Sequence, residues 1–262
     1  MALGDKSMKK RYDFIFGIGA ACSCTEALRR ANLQYASLPL DWLFGSNFLG
    51  RVDILLSKFD RFIDINDLSK CSYNNGDHTN LCDVYANNYS GLIFNHDFPA
   101  DVPLEVSYPA VIEKYSRRIK RLLNNIQQAQ SILIVYIETP NTETHASDED
   151  IVNGWERIRS KYPDKKIDIL YFINDLNCIP QNPQKQFFAS GSVIKITANY
   201  KSKCADALPY VVDQSELVHI LKDYGLKTSV FFRVKQLIKK IIVNLVPIRT
   251  VRRRMRKKYH VL

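Results

Sequence analysis

A chain of 262 residues with 46% hydrophobic content can bury a sizeable core, as one domain or as one domain plus an appendage. The net charge of +10 is unevenly placed: eleven of the 37 basic residues and no acidic one follow Val230, which leaves 26 basic against 27 acidic residues elsewhere, net −1. That balance argues against a nucleic-acid-binding body, the six scattered cysteines lack a disulfide-rich spacing and suit a reducing compartment, and no stretch has the unbroken apolar length of a membrane-spanning helix.

Residues 1–11 are polar and basic and read as a frayed end. Lys9, Lys10 and Arg11 followed by an apolar run to Cys22 have the outline of a lipoprotein signal, but Asp13 interrupts the run and Gly19 stands where a leucine is expected. Tyr12, Phe14, Ile15, Phe16 and Ile18 suit a buried strand. Gly17 and Gly19 break it, and from Cys22 the pattern is helical. Ser23 or Thr25 is the expected cap, with Glu26 in the first turn and Arg29 and Arg30 near the C-terminal end. Cys22 is thus expected where a strand hands over to a helix, where unpaired N–H groups favour the thiolate. An exposed nucleophile at such a corner is a recurring catalytic device. Against this stands the ordinary fate of a lone cysteine, which is inert packing.

Ser37 to Trp42 reads as a loop fixed by Pro39. Asp41 is either a turn residue or an orienting group for a histidine near Cys22. Trp42 is either a packing residue or a substrate contact. Asn47 to Phe59 looks like an amphipathic helix, Asp60 to Asp67 a short strand and turn, and Ser69 to Asn88 a long surface loop. Cys71, His78 and Cys82 lie in that loop, but a fourth ligand and a C-x-x-C pair are missing, so no metal is expected. Ser90 to Phe98 returns to strand character and puts His96 at or just past its end. Asp97, its neighbour, should face the other way. The third member of a triad would then come from Asp41, Glu138 or Asp175, with Asp41 preferred.

Pro109 to Gln130 is a helix, with Arg118 and Arg121 mainly off its apolar stripe. The pair is either a solvated face or a clamp for an anionic substrate group. Strands are expected at Ser131 to Ile137, Lys166 to Asn174 and Ser192 to Thr197, and helices at Glu149 to Tyr162 and Gln214 to Tyr224. The alternation predicts an α/β three-layer sandwich with a mostly parallel sheet. Ligands bind beyond the carboxyl ends of such strands, and Gly19–Cys22, His96–Asp97, Glu138 and Asn174–Asp175 all follow predicted strands.

Residues 229–262 form a second unit, separate from a catalytic-type domain over 1–228. Val230, Phe231, Val234, Leu237, Ile238, Ile241, Ile242, Leu245 and Val246 make an apolar face beside Arg233, Lys235, Lys239 and Lys240. Pro247 ends the helix, and a basic run to Lys258 follows. This amphipathic helix reads as lying in a membrane interface, with each basic residue near an anionic leaflet contributing on the order of 1 kcal/mol. The competing reading is a docking helix with a solvated end. The I/L-x-P and R-x-x-x-R spacing resembles tails on bacterial enzymes of surface-polysaccharide assembly.

Three blocks carry a further resemblance: Gly19-x-x-Cys22 with Leu28-Arg29-Arg30 and Ser37-x-Pro39-x-Asp41-Trp42; Asn88-Tyr89 leading to Phe94-Asn95-His96-Asp97-Phe98; and Tyr115-x-Arg117-Arg118-Ile119-x-Arg121-Leu122. They resemble a bacterial family of unknown function described as papain-like cysteine peptidases. Leu40 replaces the family's usual Phe, and Asn95 its usual first His. The resemblance implies Cys22 as nucleophile and His96 as base, and a papain-like α+β fold as the alternative architecture.

The expected function is thiol-dependent acyl transfer at the inner face of the plasma membrane. Cys22, His96 and Asp41 would be catalytic, and Gly19, Arg29, Trp42, Asp97, Arg118 and Arg121 would contact a small-molecule, peptide or glycan substrate. No cofactor and no nucleic acid is expected. The alternatives are a non-thiol polysaccharide-modifying or glycan- or nucleotide-binding protein, with the Gly19–Cys22 turn holding a phosphate, and a membrane-associated partner without chemistry.

Overall fold

The computed structural model describes residues 9–71, 82–138, 145–175, 183–199 and 214–227. In chain order the elements are β1 (Lys10–Tyr12), β2 (Phe14–Gly17), α1 (Ala21–Arg30), β3 (Phe44–Gly45), α2 (Phe48–Leu56), β4 (Leu68–Lys70), β5 (Cys82–Asn87), β6 (Leu92–Pro99), α3 (Leu104–Gln128), β7 (Ser131–Ile137), α4 (Asp148–Lys161), β8 (Lys166–Asn174), β9 (Gln184–Phe188), β10 (Val193–Ala198), α5 (Gln214–Leu221) and β11 (Tyr224–Leu226). The fold is mixed α/β, with five α-helices and three sheets among the described residues.

The central sheet has the order β2-β7-β8-β10-β9. Its first four strands run parallel and β9 is antiparallel. Every residue of β7 is buried, as a parallel strand apolar along its whole length requires. Alternation then divides the strand residues between two clusters. Ile15, Leu133, Val135, Leu170 and Phe172 pack with Cys24, Ala27 and Leu28 of α1 and Leu217 and Leu221 of α5. Phe16, Ile134, Tyr136, Ile169 and Tyr171 pack with Phe48 and Val52 of α2, Tyr115 and Leu122 of α3, and Ile151 and Trp155 of α4. The second sheet, β3-β6-β5-β4, is antiparallel. β1 and β11 make a separate parallel pair.

Local chemistry sets several boundaries. Ser147 and Asp150 form a reciprocal capping box that starts α4. Gly154 lets α4 approach α2, since a Cβ there would stand 2.5 Å from a ring carbon of Phe48. Asn47 caps α2 by accepting the Gly50 N–H at 2.8 Å.

The structure departs from the sequence reading in several places. Lys10–Tyr12 is a paired strand rather than a frayed end, and Tyr12 donates to buried Asp168 at 2.6 Å. Helix α3 begins before Pro109, which it contains. The region expected as a strand and turn before Asp67 holds turns and a short 3-10 helix, Ile65–Asp67. The stretch expected as one long loop carries β4 and β5 at its two ends. Strand β9 was not expected, because QKQFF is a polar, exposed edge. Helix α5 stops at Leu221, and Tyr224–Leu226 is a strand. The proposed tail, 229–262, lies outside the described residues, as does His78. No helix among the described residues is long and apolar enough to cross a membrane.

Candidate active site

The corner between β2 and α1 is built by backbone first. The parallel ladder runs on past β2: Ile18 N–H donates to Val135 O at 2.9 Å and Ala20 N–H to Ile137 O at 3.2 Å. Gly19 is required there, since a Cβ would lie 2.5 Å from the backbone nitrogen of Ile137. Gly19 therefore serves close packing of two backbones, a role sequence reading assigned to substrate contact. The chain then turns at Ala21, whose φ of 56° lies in the left-handed region. Its N–H donates to Leu43 O at 3.0 Å.

Arg51 of α2 locks this corner. It is 0% exposed. Its Nη1 donates to Ile18 O at 3.1 Å and Gly19 O at 2.9 Å, and its Nη2 to Leu43 O and Gly45 O, both at 2.8 Å. Its Nε reaches Ser46 O at 3.3 Å. A planar guanidinium can span two loop segments in this way where an ammonium cannot. Sequence reading missed Arg51. The available signal was a cation beside Phe48, Val52 and Leu55 on an otherwise apolar helix face.

Cys22 occupies the first turn of α1 and is half-buried. Burial, followed by the charge of Glu26 one turn on, pushes its thiol up to about 11, while its own backbone N–H pulls the other way. Burial thus opposes the thiolate that the position at a helix start favours. Ser23 and Thr25 do not cap the helix. The N-cap is Ala20, with no side-chain cap bond. Cys24 is packing: its Sγ lies 3.5 Å from Val135 O, and burial pushes its thiol up to about 12.

Asp41 is 1% exposed and ties the 31–42 loop to α1. Its Oδ1 accepts from Thr25 Oγ1 at 3.0 Å, and its Oδ2 from Gln34 Nε2 at 2.8 Å and Leu38 N–H at 2.9 Å. Arg29 Nη2 stands 3.7 Å away. No histidine is among these partners. Burial raises the carboxyl pKa, and the surrounding donors and Arg29 oppose the shift. Arg29 also donates to Ser37 Oγ at 2.9 Å and lies over the half-buried ring of Trp42, 5.2 Å from its centroid. Burial is the main force holding Arg29 below the usual guanidinium range; Asp41 and Glu26 oppose it and the charge of Arg118 adds to it. Arg121 Nη1 donates to Ser37 O at 2.5 Å.

His96 lies within β6 and is exposed. The β5–β6 ladder shifts register between Asp83 and Tyr85, opposite the stretch between Phe94 and Phe98. Asn95, His96 and Asp97 occupy that irregular stretch, where a strand can re-aim its side chains. Asp97 accepts from Tyr115 Oη at 2.8 Å and from Lys114. It fastens β6 to α3 and has those two groups as its fixed partners. Arg118 lies over the same Tyr115, 5.3 Å from the ring centroid. Asn95 is 3% exposed, and neither polar atom of its amide has a hydrogen-bond partner among the described residues.

These contacts gather Arg29, Asp41, Trp42, Arg118, Arg121 and, through Tyr115, Asp97 into one region. Cys22, Glu26 and Arg29 share a face of α1 at i, i+4 and i+7. No hydrogen bond joins Cys22 to His96 among the described residues. A second imidazole, which sequence reading passed over, is better oriented. His145 Nδ1 lies 2.6 Å from Glu138 Oε2, and Tyr171 Oη donates to Glu138 Oε1 at 2.7 Å. Glu138 is 1% exposed and directly follows β7, at the sheet's carboxyl end. Its place after a strand was legible. The pairing of His145 with it was not. Asp175, the other candidate, follows β8 with its N–H on Ala198 O at 3.1 Å.

No curated protein matches the chain, and no solved structure does. A family model matches residues 13–177, which span β2, α1, the arginine region, His96, Glu138 and His145. On that match the chain belongs to the family described as "Putative papain-like cysteine peptidase (DUF1796)".

Proposed function

We propose that the protein is a cysteine-dependent acyl hydrolase or transferase with Cys22 as its nucleophile. The observation that carries this reading is the Cys22 corner, a thiol on the first turn of a helix behind a left-handed bend fixed by Arg51. In the reaction Cys22 Sγ bonds to a substrate carbonyl carbon as its proton passes to an imidazole. Uncapped N–H groups of the first turn of α1 stabilise the oxyanion. Collapse breaks the bond to the leaving group, which takes the proton from the imidazole. Water or an acceptor then releases the acyl group from sulfur. A thiol pushed up to about 11 is protonated at rest, so proton removal accompanies attack.

His96 is the base by family resemblance. One observation favours His145 as a second reading, since a base needs an orienting partner and His145 has buried Glu138. We read the central sheet as the middle of a three-layer sandwich, because its side chains divide between two clusters. The sequence of 230–258, basic residues interleaved with apolar ones at helical spacing, supports action at an anionic membrane surface. Acylation of Cys22 by an activated p-nitrophenyl ester, read beside iodoacetamide labelling across pH, in wild type, His96→Ala and His145→Ala, tests the chemistry. The reading expects one histidine variant to slow acyl-adduct formation without changing the thiol pKa. Equal rates in all three proteins reject it. Liposome co-sedimentation with and without residues 230–262 tests the membrane reading, and equal pelleting rejects it.

A further inference from the structure

We infer that Arg29, Arg118 and Arg121 form an oxyanion-binding subsite for an acyl substrate carrying a carboxylate or phosphate group; that the oxyanion belongs to a substrate rests on the reading of Cys22 as nucleophile. Ser37 is where two of these cations meet. Arg29 donates to its hydroxyl at 2.9 Å and Arg121 to its carbonyl at 2.5 Å. Arg118 lies one turn before Arg121 on α3 and close enough for its charge to act on Arg29.

The nearby carboxylates are already engaged. Asp41 accepts from Thr25, Gln34 and Leu38, Asp97 from Lys114 and Tyr115, and Glu26 from Arg30. Arg29 meets Asp41 only at 3.7 Å. Arg118 has the Tyr115 ring beneath it and no hydrogen bond or ion pair among the described residues. Converging cations repel unless an anion joins them, and paired guanidinium forks match the oxygens of a carboxylate or phosphate. Trp42, beneath Arg29, supplies an aromatic wall. Cys22 and Arg29 are seven residues apart on one helix face, about 10 Å along the axis, so the attacked carbonyl and the oxyanion would be separated by roughly that distance.

The test titrates inorganic phosphate and succinate into the full-length protein by calorimetry. Wild type should bind one or both saturably, and whichever binds names the oxyanion. Arg118→Gln should weaken binding about tenfold, the loss expected for one charge-assisted contact. Arg118→Lys, which keeps the charge but not the fork, should fall between. Lys120→Gln, at an exposed position two residues along α3, should bind like wild type. The emission of Trp42, read in a Trp155→Phe background, should change with either bound probe, and thermal melts verify that each variant is folded. No saturable binding by wild type overturns the subsite. So does equal weakening by Arg118→Gln and Lys120→Gln, which would place the anion on basic residues elsewhere. Cys22→Ser should bind the probes unchanged, so loss of the thiol chemistry and loss of the subsite register as separate results.

Discussion

Thr25 Oγ1 donates to Asp41 Oδ1 at 3.0 Å, and this buried bond fastens the helix that carries Cys22 to the loop that carries Trp42. Asp41 then collects Gln34 and the Leu38 N–H on its second oxygen. A carboxylate engaged in this way is an anchor. Asp41→Ala should lower stability by about 3–5 kcal/mol, the range for breaking a buried charged network, measured by urea unfolding. Asp41→Asn keeps an acceptor and should cost less. The imidazole resonances of His96 at fixed pH should be the same in Asp41→Asn as in wild type, and a displaced imidazole signal would return Asp41 to the role of orienting that ring.

The thiol of Cys22 gives a pH prediction with a definite sign. Its pKa is raised from 9.0 to about 11, chiefly by burial. Alkylation should therefore be slow near neutrality and climb towards a midpoint near about 11, with Cys24 spared in the folded protein. Glu26→Gln removes the second cause and should move the midpoint down. The same shift links to stability. The folded state holds the proton more tightly than the unfolded chain, so this contribution is complete below pH 9.0 and fades as pH rises towards about 11. A midpoint at or below that of an ordinary thiol would show that the free enzyme carries an activated thiolate.

The strand–helix corner and the parallel strands were legible because burial on both faces demands long apolar runs, such as Ser131–Ile137. β9 and β5 were not, because half-exposed antiparallel strands tolerate Gln, Lys, Asp and Asn. Within the site, motif spacing selected Arg29, Asp41, Trp42, Arg118 and Arg121, and the structure gathers them around Ser37 and Tyr115. Spacing did not show that Asp41 spends its oxygens on backbone and amide donors. Nor did it show that Cys22 is half-buried, so that burial opposes ionisation of its thiol. Those outcomes depend on which groups lose water, a property of the folded neighbourhood.

Arg51 should be indispensable to the corner. Arg51→Met leaves up to five carbonyls without their buried donor and should cost about 3–5 kcal/mol. Arg51→Lys should recover little, since an ammonium has three donors for the same carbonyls. If Arg51→Met is too unstable to isolate, Arg51→Lys carries the test. Loosening the Ile18–Gly19 turn should expose Cys24, whose alkylation in the native protein should become measurable. A lysine variant with wild-type stability and a silent Cys24 would show that the turn holds without the guanidinium.

Asn95 separates a structural defect from a reserved contact. Its amide is buried and has no hydrogen-bond partner among the described residues, and it sits beside His96 in the irregular part of β6. An orphaned buried polar group costs about 1–3 kcal/mol. Asn95→Leu, close in size and without polar atoms, should therefore raise stability by up to that amount, seen as a higher urea midpoint with an unchanged slope. If the amide is kept for a substrate, the same variant should lose turnover while gaining stability, a combination that a packing residue does not give. Destabilisation by Asn95→Leu would mean that the amide is satisfied in solution, by water or by one of the residues beyond those described.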